Sequence, residues 1–182
     1  LDNFQGAADA TAHLLDLGHR RIGCITGLPN SKLNGQRIAG YRDALAQRGI
    51  PFDPALLRTG DYTPAAGVRE SHDLLRLPEP PTAIFAFNDL MAMGVMQAVQ
   101  ERGLRIPADI AVIGFDGLAL TEHCSPPLST VEQPVAEMSA TAISMLLDRI
   151  KGGSSPASVH TFVAKLVTRT STVGCAAEAT HV

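Results

Sequence analysis

"AIFAFNDLMAMGVMQAVQERG" occupies residues 83–103 and sets the reading of the whole chain. It opens with five consecutive apolar residues, passes through Asn88-Asp89, and continues as a helix-forming run containing Met91, Met93 and Met96. A strand that is apolar at every position, rather than at alternate ones, is covered on both faces. Gly103 stops the run that follows, as glycine does beyond helix ends. The stretch is therefore a strand–helix unit of a layered α/β protein.

The same unit recurs on either side. Helices are expected at 2–17, closed by Gly18; at 37–47, closed by Gly49; and at 64–75, with Thr63 as N-cap. Further helices are expected at 90–102 and at 135–150, the last ended by Gly152-Gly153. Strands are expected at 21–26, 56–59, 82–87, 110–115, 129–132, 159–163 and 166–170. Apolar strands alternating with helices give an α/β fold with a parallel sheet flanked by helices.

Composition narrows the function. The 182 residues suffice for one domain with a sizeable core, and the net charge is −3. Lys and Arg form no cluster of the kind that neutralises phosphates, so this chain is not expected to bind nucleic acid itself. Cys24, Cys124 and Cys175 are odd in number and widely spaced, which argues against a disulfide framework and suits a reducing cytoplasm. No apolar run approaches the roughly 20 residues of a membrane span.

In open parallel sheets, ligands bind outside the carboxyl ends of the strands. After the first strand come Gly27-Leu28-Pro29 and a loop leading to Arg37. After the next ones come Gly60-Asp61-Tyr62, Asn88-Asp89, Asp116-Gly117 and Gln133. Amides, a carboxylate, a guanidinium and an aromatic ring at these points suit a polar small molecule. Bland readings stand beside these: Asn88 or Asp89 caps a helix, Asp116 makes a turn, Arg37 is a solvated charge. Catalytic motifs are missing. The glycines complete neither a phosphate loop nor a dinucleotide fingerprint, no nucleophile elbow occurs, and the six histidines fall at no metal-binding spacing. No enzyme, cofactor or metal is expected.

The segments at the strand ends carry a resemblance. "DNFQGAADATAHLLDLGHRRIGCITG", "GQRIAGYRDAL", "TAIFAFNDLMAMGVMQAVQERGLRIPADIAVIGFDG", "PPLSTVEQP" and "LVTRTST" resemble, in order and spacing, the effector-binding domain of LacI/GalR-family transcription regulators. The resemblance implies a periplasmic-binding-protein-like fold, in which two α/β subdomains flank an effector cleft and the chain crosses between them three times. Residues 1–132 would then form the C-terminal subdomain, 133–163 a return segment of the N-terminal subdomain, and 164–174 the final strand of the C-terminal subdomain. Residues 175–182 are expected to be a disordered tail. The N-terminal helix-turn-helix headpiece and most of the first subdomain are absent from this sequence. The functional protein is accordingly expected to be longer.

By the same resemblance, Arg37, Tyr62, Asn88, Asp116, Gln133 and Asp2 are expected to contact the effector, with Asn3 sharing the weaker claim of Asp2. The effector is expected to be a sugar rather than a purine or nucleoside. Met93 and Met96, which lie off the sheet-facing side of their helix, and Cys124 are expected at a homodimer interface. Operator DNA would be reached only through the headpiece, with no membrane partner. The chief alternative is a periplasmic sugar-binding receptor of a transporter; an enzyme ranks last.

Overall fold

The structure, a computed structural model, describes residues 1–151 and 159–173. In chain order its elements are α1 (Asn3–Asp16), β1 (Ile22–Thr26), α2 (Lys32–Gln47), β2 (Leu57–Thr59), α3 (Pro64–Leu74), β3 (Ala83–Ala86), α4 (Asp89–Glu101), β4 (Ala111–Ile113), β5 (Thr130–Glu132), α5 (Val135–Ile150) and β6 (Lys165–Val167). Single 3-10 turns occupy Pro54–Leu56 and Ala119–His123.

β1 to β4 form a parallel sheet in the order β2-β1-β3-β4. Cys24 lies opposite Leu57 on one side and Phe85 on the other. Every residue of β1, β3 and β4 is buried, as their unbroken apolar runs demand. Isolated parallel bridges, Ile113 with Ser129 and Asp116 with Glu132, lay β5 beside β4. β6 then pairs antiparallel with β5. The segment after β6 is stapled to the sheet: Ser171 Oγ donates to Val112 O at 2.6 Å and accepts from Ser129 N at 2.8 Å.

Right-handed crossovers put α2 on one face and α3 and α4 on the other, because β1 to β2 runs one way across the sheet and β2 to β3 to β4 the other. α1 packs on α2, and α3 on α4. This explains the excess of apolar residues in α4. Its one side meets the sheet and another meets α3, where a Cβ on Gly94 would lie 2.1 Å from Pro64 O. Met96 lies on the flank away from α3, beside Cys124 and Ser125, and is a core residue at 4% exposure, not the surface residue expected from the helical wheel; Met93 alone of the pair is part-exposed.

Three expectations are corrected. α2 begins at Lys32, one turn before Arg37, because Ser31 caps it by accepting from Asn34 N. Residues 159–163 form no strand. Their β-branched valines favour extended backbone, but a strand needs a neighbour, and among the described residues only Phe162 O finds a backbone donor, Asp2 N at 2.8 Å. The strand expected at 166–170 is shorter and earlier, Lys165–Val167, because its register is set by pairing with β5. α5 has the expected bounds, yet none of its residues is buried, and Ile143, Leu146, Leu147 and Ile150 are all exposed. Each such side chain forgoes about 1.5–3 kcal/mol that burial would contribute. Gly152-Gly153 and the tail 175–182 lie outside the described residues.

Candidate functional site

The connections leaving β1 and β3 run in opposite directions across the sheet, so the crevice at their carboxyl ends is the topological switch point where ligands bind in such sheets. Arg37 stands there. Its position in the second turn of α2 brings it inward, and it is only 6% exposed. Nε donates to Asn3 Oδ1 at 2.9 Å, Nη1 donates to Phe87 O at the end of β3, and Nη2 lies 3.6 Å from Asp116 Oδ1. The guanidinium rests 3.6 Å above the Phe115 ring centroid, a cation–π contact. Burial lowers the pKa of Arg37 and the Asp116 charge opposes it. A solvated helix charge is thereby excluded.

Asp116 follows β4 with φ at 114°, a region few residues other than glycine adopt. Its backbone N donates to Val131 O at 2.9 Å and its carbonyl accepts from Gln133 N at 3.2 Å. Gln133 also donates Nε2 to Asp116 Oδ1 at 2.7 Å. Burial raises the Asp116 pKa, and Arg37 and Gln133 hold it back. The carboxylate is 29% exposed, and its Oδ2 accepts nothing among the described residues. It is the open acceptor of the cluster.

The other expected residues divide. Asn88 caps α4: Oδ1 accepts from Met91 N at 2.9 Å, and Nδ2 donates to Tyr62 O at 3.0 Å. Tyr62, at φ 68°, lays its ring across Gly27, where a Cβ would fall 1.9 Å from the ring carbon Cζ. The ring and Asn88 thus border the same crevice as one linked unit. Asp2 is an N-cap, accepting from Gln5 N at 2.9 Å, and makes no contact with Arg37; its neighbour Asn3, 1% exposed, does. Met93, Met96 and Cys124 line one shallow depression of about 240 Å³ with Gln97, Gln100 and Ser125.

Asp89 was expected only as a possible cap. It is fully buried, accepting from Thr130 Oγ1 at 2.6 Å and Leu118 N at 2.7 Å. No local pattern signals this, because both partners lie far along the chain. A larger hollow at the other end of the sheet carries less chemistry. It measures about 540 Å³, is lined by Leu75, Pro80, Pro81, Leu104 and Ile110 with Arg102 and Asp109, and sits at the amino ends of β3 and β4. Asp109 there is already paired with Arg105. Convergent polar groups, not volume, locate the site.

Asp89 gives a pH dependence. Burial pushes its carboxyl up to about 6, with Asp116 adding and the Thr130 and Leu118 hydrogen bonds opposing. A raised acid pKa means that the folded state binds the extra proton. Its stability is greatest below the unfolded value of 3.8 and falls as pH rises through about 6. The gap corresponds to about 3 kcal/mol. Burial lowers the pKa of His13 and His19, which act oppositely over nearby pH. The test is therefore a difference: urea midpoints of the native protein minus those of Asp89→Asn should fall between pH 4 and 6, and a flat difference would contradict the assignment.

The comparisons with known proteins bear on this geometry. A family model described as a periplasmic binding protein-like domain matches residues 11–172. The HTH-type transcriptional repressor CytR of Escherichia coli is 43% identical over 152 residues, covering 84% of this chain and 45% of the relative. The E. coli transcriptional repressor ascG is 40% identical, with a TM-score of 0.85 over 94% of this chain and 62% of that one. The transcriptional regulator CelR, solved as a cellobiose complex, is 35% identical with a TM-score of 0.89, covering 94% of this chain and 52% of the other. The chain thus spans about half the length of the curated relatives it matches. These proteins are named as regulators rather than enzymes, and none is a transport receptor, so the transporter alternative gains no support. The chain belongs to the periplasmic-binding-protein-like family, as the effector-domain part of a LacI-family transcriptional regulator.

Proposed function

We propose that this chain provides one wall of an effector site whose ligand is a sugar, and that the ligand controls operator binding by a headpiece elsewhere in the protein. The observation that carries this is the cluster of Asn3, Arg37, Asp116 and Gln133. It joins the sheet's switch point to the first two of the three expected crossovers, at Asn3 and Gln133, through charged hydrogen-bonding groups. A carboxylate and a guanidinium in one cluster bind vicinal hydroxyls from two sides. The ring of Tyr62 offers a flat face for a pyranose. The solved relative holding cellobiose supports the sugar class.

The mechanism is a population shift. An effector that bridges the cluster and a second subdomain stabilises one relative orientation, and it can act only through unequal affinity for the two states. Such a regulator works in the cytoplasm; no helix among the described residues is long and apolar enough to cross a membrane. Titration calorimetry of the full-length protein with cellobiose, D-ribose and adenosine tests the ligand class. A sugar is expected to bind, and Asp116→Asn to weaken it by about ten- to a hundredfold, the worth of a charged hydrogen bond. Binding of adenosine alone would replace the sugar by a nucleoside.

The same reading makes the protein a homodimer. Part-exposed Met93 and Cys124, over the buried floor of Met96, supply a small apolar patch on the flank of α4. Met93→Glu would bury a charge there, and sedimentation equilibrium should show dimer dissociation at least a hundredfold easier. An unchanged dimer would remove α4 from the interface.

A further inference from the structure

Asp89 is more deeply buried than its place in the helix requires. Asn88 already caps α4, and an exposed acid in the first turn would complement the helix dipole equally well. Asp89 is instead at 0% exposure, where an ionisable carboxyl is costly unless its oxygens are taken up. They are taken up by one loop and one strand. Oδ2 accepts from Leu118 N at 2.7 Å. Oδ1 accepts from the Thr130 hydroxyl at 2.6 Å, and that hydroxyl in turn accepts from Gly117 N at 3.3 Å. The sheet makes room for the carboxylate: a Cβ on Gly114 would come within 2.3 Å of Oδ1.

The two amides so held are those immediately after Asp116. That residue keeps a φ of 114°, which costs of order 1–3 kcal/mol and persists only when its surroundings over-determine it. On its own side it is held by Val131 O. On the following side Gln133 N holds its carbonyl at 3.2 Å, and the next two amides are held by Asp89, directly and through Thr130.

We propose that Asp89 is a positioning residue for the effector site: by gripping Gly117 and Leu118 and, through Thr130, the start of β5, it fixes the backbone that aims Asp116. This rests on the reading that Asp116 contacts the effector. α4, the Asp116 loop and β5 then move as one body. Leu118 also leads into the Ala119–His123 turn and Cys124, so the same grip extends toward the flank of α4.

The test uses the full-length protein with Asp89→Asn and Thr130→Val, each alone and with Asp116→Asn. Amide hydrogen exchange without ligand is read first. In Asp89→Asn the Gly117 and Leu118 amides should exchange at least tenfold faster relative to those of β3, whereas a merely structural loss would accelerate both together. Cellobiose is the binding probe. Its dissociation constant should rise about tenfold in Asp89→Asn and rise no further when Asp89→Asn is added to Asp116→Asn, because the one acts through the other. Unchanged exchange at Gly117 and Leu118, or binding losses that add in full, overturns the proposal. If Asp116→Asn leaves cellobiose binding intact, the reading of the site has failed, and the exchange result alone decides whether Asp89 holds the loop.

Discussion

Replacing Arg37 with methionine is expected to weaken effector binding by at least a hundredfold and to destabilise the fold by about 3–5 kcal/mol. The reason is that Arg37 satisfies three elements at once. It takes up Asn3 Oδ1 from α1, Phe87 O just after β3, and the charge of Asp116 after β4, all with the side chain at 7% exposure. Methionine fills much of the space over Phe115 but donates nothing. A side-chain oxygen and a main-chain oxygen lose their donor, and a mostly buried carboxylate loses its counter-ion. Breaking a buried pair from one side is the costly way to break it. Arg37→Lys should fall between, because an ammonium keeps the charge but cannot reach three directions with a planar fork. Urea unfolding and calorimetry with the sugar that binds the native protein measure both effects. A stability loss below about 1 kcal/mol would mean that the cluster is hydrated rather than desolvated.

The second large effect comes from a methyl group. Gly94→Ala should cost about 3 kcal/mol even though alanine is the better helix former by about 1 kcal/mol. The added Cβ would lie 2.1 Å from Pro64 O and 2.9 Å from Val68 N, both backbone atoms of or beside α3. No side chain can swing aside. The two helices must separate, and the close approach of Met91 to Gly67 across the seam is then lost. Gly35→Ala is the control. Gly35 is an exposed position of α2 with nothing within 4 Å of a built Cβ, so the same change should stabilise by about 0.5–1 kcal/mol. Opposite signs in thermal unfolding are expected. Equal signs would show that propensity, not helix approach, governs α4.

Much of this was legible in the sequence, and for one reason. Strand and helix periods, unbroken apolar runs, caps and glycine stops are local patterns, and each is written within a few residues. They placed the four parallel strands and the five helices, with shifts of a few residues except at α2, where Ser31 starts the helix a turn early. They also led to the strand ends, where Arg37, Asp116 and Gln133 meet. What tertiary structure decided is which partner each residue finds far along the chain. Asp2 and Asn3 are neighbours of equal promise, yet the direction of the first helical turn gives one to a cap and the other to Arg37. Met96 belongs to the core because the segment at Cys124-Ser125, distant in sequence, lies along its flank of α4, which a wheel with one buried face does not include. Residues 159–163 carry strand-forming side chains but lack a strand to pair with among the described residues. Asp89 reads as a cap beside Asn88, and becomes the anchor of the Asp116 loop only when Leu118 and Thr130 fold back on it, because a buried carboxylate takes its role from the donors that surround it.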